Sequence, residues 1–205
     1  MSVKDKKRGR PSGKQAPLSA EHILATAKDL MQPQGKMPSI RQLASALDVD
    51  AMAIYHYFKN KQALQVAICV SLIEAIDQPD IQQDIACASV EQWQTQLHAL
   101  CRSYLTLLTT YPGLLDTFLS LPDGGPANVF IARFEHIIAP LALSEAQAKD
   151  ALHLLVDYLH GFAHAHYCNP EAEALSLDMM DGPFTLYCAG LAHLSEKGGA
   201  TRPER

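Results

Sequence analysis

Residues 39–61, SIRQLASALDVDAMAIYHYFKNK, bring small, aromatic and basic side chains together in one short stretch. Alanines at positions 51 and 53 let a backbone approach its neighbour closely, and a methionine between them offers an adaptable apolar contact. The tyrosine, histidine and lysine side chains that follow are hydrogen-bond donors suited to base edges and phosphates. The order therefore indicates a surface that binds double-stranded DNA through Ala51, Met52, Ala53, Tyr55, His56 and Tyr57, with Lys59 and Lys61 on phosphates.

A second set of polar side chains recurs at helical spacing in the C-terminal part. His153, Asp157, His160 and His164 stand at i, i+4, i+7 and i+11, so they share one narrow sector of a helix. Two histidines at i and i+4 are able to chelate Zn²⁺ with aspartate as a third ligand, but one helix rarely completes such a site. We therefore predict no resident metal or other cofactor. The stripe faces either an effector pocket or a partner subunit, and both alternatives remain open.

Charge is distributed unevenly along the 205 residues. The formal net charge is -5, yet residues 1–61 hold eleven basic and five acidic side chains, whereas residues 62–205 hold six basic and seventeen acidic ones. A basic head on an acidic body favours a DNA-binding N-terminal part. The five cysteines form no CxxC pair, which indicates buried thiols in a reducing compartment. No apolar run reaches the roughly 20 residues of a membrane span, so we expect a cytoplasmic protein without a membrane partner.

Helical periodicity runs through nearly every segment, and no stretch alternates with period two for long enough to predict a strand. We therefore predict an all-α fold. Ser39 and Gln42 have the capping-box spacing, which predicts a helix with the buried stripe Ile40, Leu43, Ala44 and Leu47. Asp48 tolerates the left-handed backbone of a tight turn, and Asp50 is placed to cap a third short helix that Ile54 and Phe58 hold to the core.

Two short helices joined by such a turn form the helix-turn-helix arrangement, in which the second helix enters the major groove of DNA. The alternative is a helical hairpin that only packs, because short amphipathic hairpins are common. The charge asymmetry favours the DNA-binding interpretation.

Residues 39–64, SIRQLASALDVDAMAIYHYFKNKQAL, resemble the TetR family of transcriptional repressors. The likeness consists of a capped Ser-x-Arg-x-Leu-Ala helix, a Leu-x-Val turn, an Ile-Tyr-x-Tyr-Phe recognition helix and Lys-Asn-Lys before a connecting helix. It implies that Arg41 reaches a base edge, with guanine its best partner, and that Tyr57 and Lys61 hold phosphates. Ser39 would also hold a phosphate, through its hydroxyl or through the helix N-terminus. Asp48 departs from the family, which usually has glycine there. The resemblance also implies a homodimer that pairs its last two long helices, around residues 152–166 and 184–194.

The first seventeen residues, MSVKDKKRGRPSGKQAP, have almost no large apolar side chain, which predicts a flexible basic arm. Arg8-Gly9-Arg10-Pro11 is similar to the AT-hook core, in which Arg8 and Arg10 lie in the narrow minor groove of A·T-rich DNA. The alternative is a solvated basic tail without sequence preference. We divide the remainder into a helix-turn-helix DNA-binding domain (18–61), a helical regulatory and dimerisation domain (62–197) and a disordered tail (198–205).

In the body, helical spacing predicts a connecting helix that ends near Pro79, then five more helices, of which Ser144 caps a long one and Pro183 opens the last. Residues 121–128, LPDGGPAN, and residues 169–181 are predicted loops. Large aromatic residues are mostly core, but some also line cavities. Six side chains are candidates for an effector pocket: Trp93, Tyr104, Phe118, Phe134, His160 and His164.

The preferred hypothesis is a ligand-responsive, homodimeric repressor that leaves a palindromic operator when a small-molecule effector binds. The first alternative is a helical metal-dependent enzyme that uses the His/Asp stripe. No nucleophile–base pair, phosphate-binding loop or HExxH motif supports it, so we assign no catalytic residue. The second alternative is an architectural protein that binds A·T-rich DNA through the arm alone.

Overall fold

The computed structural model describes residues 17–76, 92–111, 113–121, 125–169 and 176–200. Within these ranges the backbone forms α-helices and short 3-10 turns and no β-strand, which confirms the all-α prediction. Residues 1–16, which hold most of the predicted arm, and Pro79 lie outside the described residues. No described helix is both long enough and apolar enough to cross a membrane.

Three helices form the head: α1 (Ala20–Gln34), α2 (Ile40–Ala46) and α3 (Ala51–Tyr55). The Ser19 side chain caps α1 by accepting the backbone N–H of His22, and Gly35 ends the helix in the left-handed conformation with a φ of 61°. Glycine adopts this conformation without a steric penalty, so it is the usual residue at a helix C-terminus. Buried apolar side chains from all three helices share one core, including Ile23, Ala27, Met31, Leu43 and Ile54.

The described part of the body contains six helices: α4 (Lys61–Glu74), α5 (Trp93–Thr110), α6 (Leu114–Ser120), α7 (Gly125–Ile138), α8 (Glu145–Cys168) and α9 (Asp181–Ala200). A 3-10 turn, Ala139–Leu141, follows α7, and another, Leu177–Met180, precedes α9. Ser144 and Gln147 form a capping box at the start of α8. α4 packs on α1 of the head and on α7 of the body, so it connects the two parts physically.

Three predicted boundaries need correction. α7 begins at Gly125, so residues 125–128 of the predicted loop are helical; Pro126 fits there because N–H groups in a helix's first turn have no intrahelical partner. Residues 177–180 of the predicted loop 169–181 form a 3-10 turn, since Met180 is buried in the core. α9 continues to Ala200, three residues into the tail predicted to be disordered, because extending an existing helix needs no new nucleus.

The cysteines are free thiols in the described part of the chain. Cys69, Cys101 and Cys188 are buried as predicted, and burial raises the pKa of Cys69 and of Cys188 to about 12. Cys168 differs, because it is exposed at the end of α8. Burial keeps the three core thiols protonated and unreactive at neutral pH.

Candidate nucleic-acid interface and ligand cavity

Side-chain caps fix the geometry of the helix-turn-helix. The Ser39 hydroxyl accepts the Gln42 N–H at 3.2 Å, and Gln42 Oε1 accepts the Ser39 N–H at 2.8 Å, which completes the predicted capping box of α2. Asp48 turns the chain with a φ of 52°, and Asp50 Oδ1 accepts the Met52 N–H at 2.7 Å at the start of α3. Each cap satisfies a backbone donor at a helix start, so α2 and α3 are held in a defined relation.

α3 exposes the side chains that the sequence assigns to the major groove. Met52 is 63% exposed, Tyr55 is also exposed, and Ala51 and Ala53 are partly exposed on the same short helix. Ile54 is fully buried and holds the opposite face of α3 on the core. Arg41, in the first turn of α2, is exposed as well. The head therefore presents small, apolar and basic side chains to solvent from the two helices of the motif.

The turn after α3 holds two further candidates. α3 ends at Tyr55, so His56 and Tyr57 lie in the turn and both are exposed. The Tyr57 hydroxyl donates to the backbone carbonyl of Leu18, which holds the first described residues of the chain beside this turn. The same proton is the one that a phosphate would accept, so the phosphate contact expected of Tyr57 competes with this bond.

Ser39 shows the same competition. Its hydroxyl donates to Gln42 Oε1, with 2.8 Å between the two oxygens, in addition to accepting the Gln42 N–H. The hydroxyl, one of the two phosphate contacts expected at Ser39, therefore already serves the cap of α2. That cap positions Arg41, which lies two residues further along the chain.

Two lysines flank a cap that the sequence analysis missed. Asn60 Oδ1 accepts the Ala63 N–H at 2.7 Å and begins α4. Asparagine directly before an apolar helix is a preferred N-cap, so the signal was present in Lys-Asn-Lys. Lys59 and Lys61 are both exposed. Because the cap fixes the start of α4, both side chains leave the backbone at defined positions beside the turn after α3.

A cavity of about 260 Å³ lies among α4, α5, α6, α7 and α8. Its walls are mostly aliphatic and aromatic, with a few polar groups, which is the composition of small-molecule sites. The lining residues are Ile73, Tyr104, Phe118, Leu119, Leu121, Pro126, Ala127, Phe130, Ile131, Leu152, His153, Val156, Asp157 and His160.

Three of the six candidate pocket residues line this cavity: Tyr104, Phe118 and His160. Trp93 and Phe134 are buried but are not among the lining residues, and His164 is exposed further along α8. Helical spacing identifies an inward-facing side chain but does not distinguish packed core from a cavity wall. Pro126 and Ala127 were missed because residues 121–128 were predicted to be a loop.

Two polar side chains of the described cavity wall pair with each other. Tyr104 Oη and His160 Nε2 lie 2.8 Å apart, and the Tyr104 ring packs on Phe130 with 4.8 Å between ring centroids. Burial lowers the pKa of His160, although the Asp157 carboxylate acts in the opposite direction. Burial also raises the pKa of Tyr104. Both side chains are therefore neutral at pH 7, and the pair supplies hydrogen-bonding groups without charge.

The helical stripe of histidines and aspartate is divided between two environments. His153, Asp157 and His160 line the cavity, whereas His164 Nε2 lies 3.6 Å from the Cys168 sulfur near the end of α8. In the described part of the chain, no three His, Cys, Asp or Glu side chains converge on a point where a metal ion would bind.

The C-terminal end of α4 is held by Arg133 of α7, a contact that the sequence analysis did not anticipate. Its guanidinium donates to the carbonyls of Ile73 at 3.1 Å, Glu74 at 3.2 Å and Ile76 at 3.2 Å. Carbonyls at a helix end lack intrahelical partners and attract a cation, so this contact stabilises the end of α4. Arg133 is only 8% exposed, and an arginine within an apolar helical stretch was the available signal. Ile73 also lines the cavity, so the end of α4 that Arg133 holds lies next to the cavity wall.

α6 touches the head at its first residues. A Cβ added to Gly113, the N-cap of α6, would lie 2.4 Å from the carbonyl oxygen of Gly35 and 2.7 Å from the Cα of Lys36. These atoms belong to the C-cap of α1 and to the residue that follows it. Phe118 and Leu119, later in α6, line the cavity. α6 therefore contacts the head at one end and the cavity at the other.

Gly113→Ala is expected to lower the free energy of unfolding by about 1 to 3 kcal/mol, because the new methyl group meets rigid backbone. Thermal unfolding measures the change. Gly125→Ala is the matched control, since among the described residues its Cβ would meet the Val66 side chain alone, at an ordinary 3.5 Å. Equal stability of the two variants would show that the contact between α6 and α1 is loose.

α8 and α9 expose apolar side chains on neighbouring surfaces. Leu154 of α8 is 64% exposed and Leu186 of α9 is 77% exposed. Both line an apolar groove between the two helices, together with Tyr158, Pro183 and Tyr187. Small residues of the same helices, Gly161, Ala165, Ala189 and Gly190, are exposed as well. Adjoining apolar surface of this kind is typical of a protein–protein interface.

Two family models match the chain. Residues 23–68 match the model described as bacterial regulatory proteins, tetR family. Residues 88–188 match the model described as the tetracyclin repressor-like C-terminal domain. None of the curated protein sequences compared with the chain matches it.

Solved structures share the fold over most of the chain. Apo ActR from Streptomyces coelicolor superposes with a TM-score of 0.71 at 17% identity, covering 90% of this chain and 99% of ActR. BioQ bound to its double-stranded DNA operator gives a TM-score of 0.64 at 22% identity, covering 86% and 99%. A TetR variant from Acinetobacter baumannii AYE in complex with minocycline gives 0.60 at 21%, covering 91% and 99%. At these identities the likeness establishes the shared fold.

Proposed function

Because this chain belongs to the tetR family of bacterial regulatory proteins, we propose that it is a homodimeric repressor that a small molecule releases from a palindromic operator. As a member of that family it is a DNA-binding transcriptional regulator. One observation carries the proposal: α4 and α6 each connect the helix-turn-helix head to the wall of an apolar cavity. The relatives solved with a DNA operator and with minocycline support both parts of it.

The head reads DNA with the exposed face of α3 and the turn that follows it. Ala51, Met52 and Ala53 bring the backbone close to base edges and thymine methyl groups, while Tyr55 and His56 donate hydrogen bonds. Arg41, at the start of α2, contacts a base edge, for which guanine offers two acceptors. Lys59 and Lys61 bind phosphates and fix the register of the head without selecting sequence.

Arg41→Ala is expected to relax the preference at one base pair in each half-site by about 1 to 3 kcal/mol, whereas Lys61→Ala weakens binding to all sequences alike. The reason is that a bidentate base contact is specific to that base, while a phosphate is present at every position. Binding of the two variants to a panel of operators with single base-pair changes measures the difference.

Lys149→Ala is the control for loss of a lysine, because Lys149 is exposed on α8 in the body. Its affinity for every operator in the panel should equal that of the unaltered protein. If Arg41→Ala lowers the affinity for all operators equally, the base-reading role of Arg41 is wrong.

We expect a ligand to release the operator through α4 and α6, the two helices that contact both the cavity and the head. A ligand in the cavity contacts Ile73 beside the end of α4 that Arg133 holds, and it contacts Phe118 and Leu119 of α6. Displacing either helix moves the head, through the start of α4 at Asn60 or through the contact of Gly113 with Gly35. A ligand that binds better to the displaced arrangement shifts the population toward it and lowers operator affinity.

Dimerisation explains why a movement of the head would weaken operator binding. Two heads bind half-sites about one helical turn apart, so a change in their separation disrupts both contacts together. The apolar groove and exposed leucines of α8 and α9 are the proposed dimer interface, in agreement with the position that the family resemblance implies. Burying these side chains against a second copy removes them from water.

A further inference from the structure

We propose that the cavity takes a small, largely apolar monocation, such as a lipophilic amine, whose charged group is held at the cavity mouth by Asp157. The proposal rests on the ligand-binding role proposed above and specifies the chemical class of the ligand.

The charges of the lining carry the proposal. In the described part of the chain, Asp157 is the one lining residue with a carboxylate, it is exposed, and no lysine or arginine lines the cavity. Among the described residues Asp157 forms no hydrogen bond or ion pair. Arg133 lies on α7, which contributes to the wall, but its guanidinium donates to the carbonyls at the end of α4. The described lining therefore offers a carboxylate to a cation and no lysine or arginine to an anion.

Two effects would weaken the binding of an anionic ligand in this site. Its carboxylate or phosphate would leave water without a compensating cation, which is costly in apolar surroundings. It would also lie near the like charge of Asp157. Tyr104 and His160 are neutral because burial lowers the pKa of the imidazole and raises the pKa of the phenol. The other polar lining residue is His153.

The size and walls of the cavity define the rest of the ligand. Its volume of about 260 Å³ is just below the roughly 300 to 1,000 Å³ of sites for drug-sized molecules, so the ligand is small. Phe118, Phe130, Leu152 and Val156 supply flat and branched apolar surface that suits an aromatic ring or a short alkyl chain. The apolar part lies among these side chains, and the cation lies at the exposed carboxylate of α8.

Three probes with the same carbon skeleton test the charge preference: phenylbutylamine, phenylbutanol and phenylbutyrate. Isothermal titration of each into the full-length protein at neutral pH measures affinity without DNA. The amine should bind about two- to fivefold more tightly than the alcohol, as expected for a partly exposed ion pair. The carboxylate should bind at least roughly tenfold more weakly than the alcohol, because its charge is desolvated without a partner.

Asp157→Asn should remove the preference for the amine and leave the affinity for the alcohol unchanged. Asp150→Asn is the matched control, since Asp150 is exposed on α8 but does not line the cavity. The proposal is overturned if the amine binds no more tightly than the alcohol, if phenylbutyrate binds as well as either, or if the preference survives Asp157→Asn. Asp157-dependent amine binding that leaves operator affinity unchanged would support the ligand class and contradict ligand-induced release, so the two failures are distinguishable.

Discussion

Leu186→Lys is expected to convert the dimer into monomers and to weaken operator binding by roughly 10²- to 10⁴-fold, the usual gain from linking two binding modules. Leu186 is 77% exposed on α9 beside the groove that it shares with Leu154 of α8. In the proposed dimer that surface is buried, so a lysine there would place an unpaired charge in an apolar interface. Sedimentation velocity at micromolar concentration and fluorescence anisotropy with labelled operator measure the two effects.

Leu119→Lys provides the matched control. Leu119 is 69% exposed on α6, so the substitution introduces the same charge at a leucine of similar exposure outside α8 and α9. This variant should remain a dimer; because Leu119 also lines the cavity, the control applies to the sedimentation measurement alone. A Leu186→Lys protein that sediments as a dimer would place the subunit interface elsewhere.

Deleting residues 1–14 is expected to flatten the dependence of log affinity on log salt by about two to four units, because each neutralised phosphate contributes roughly 0.9 to that slope. The deleted residues include Lys4, Lys6, Lys7, Arg8, Arg10 and Lys14, opposed by Asp5, so the segment carries a net charge of +5. The hydrogen bond from Tyr57 to the Leu18 carbonyl holds Leu18, the residue that follows the arm, beside the turn after α3. This turn is next to the proposed DNA surface. Operator titrations at several salt concentrations give the slope.

A charge-conserving variant distinguishes minor-groove binding from a simple basic tail. Arg8→Lys combined with Arg10→Lys keeps the net charge of the arm, so the salt slope should remain unchanged. If both arginines enter the narrow minor groove, this variant loses the preference for A·T pairs that flank each half-site. A salt slope that the deletion leaves unaltered would show that the arm does not contact DNA.

The head was predictable from sequence because local interactions determine it. Ser39 with Gln42, the left-handed Asp48 and the cap at Asp50 each act within three residues, and the structure contains all of them as expected. The bonds that the sequence did not reveal are those between distant residues, such as Tyr57 to Leu18. A hydrogen bond to a distant carbonyl cannot be recognised from a local sequence pattern. The phosphate role inferred for Tyr57 therefore did not consider that the Leu18 carbonyl competes for its hydroxyl proton.

The body was less predictable because its site depends on how helices pack. Helical spacing correctly marked Trp93 and Phe134 as inward-facing, but both are packed in the core away from the cavity. Arg133 and Gly113 have roles that exist only when α7 meets the end of α4 and α6 meets the end of α1. The sequence contained a hint of the role of Arg133, because an arginine within an apolar helical stretch needs several acceptors when it is buried. Nothing in the sequence near Gly113 indicated the second.

Selection of bound fragments from a random pool of double-stranded DNA, using the full-length protein, tests the central claim most directly. A homodimeric helix-turn-helix repressor should enrich a palindrome whose half-sites are centred about one helical turn apart, roughly 10 base pairs. Enrichment of sequences without dyad symmetry, or of A·T-rich DNA with no defined site, would contradict the proposed mode of binding.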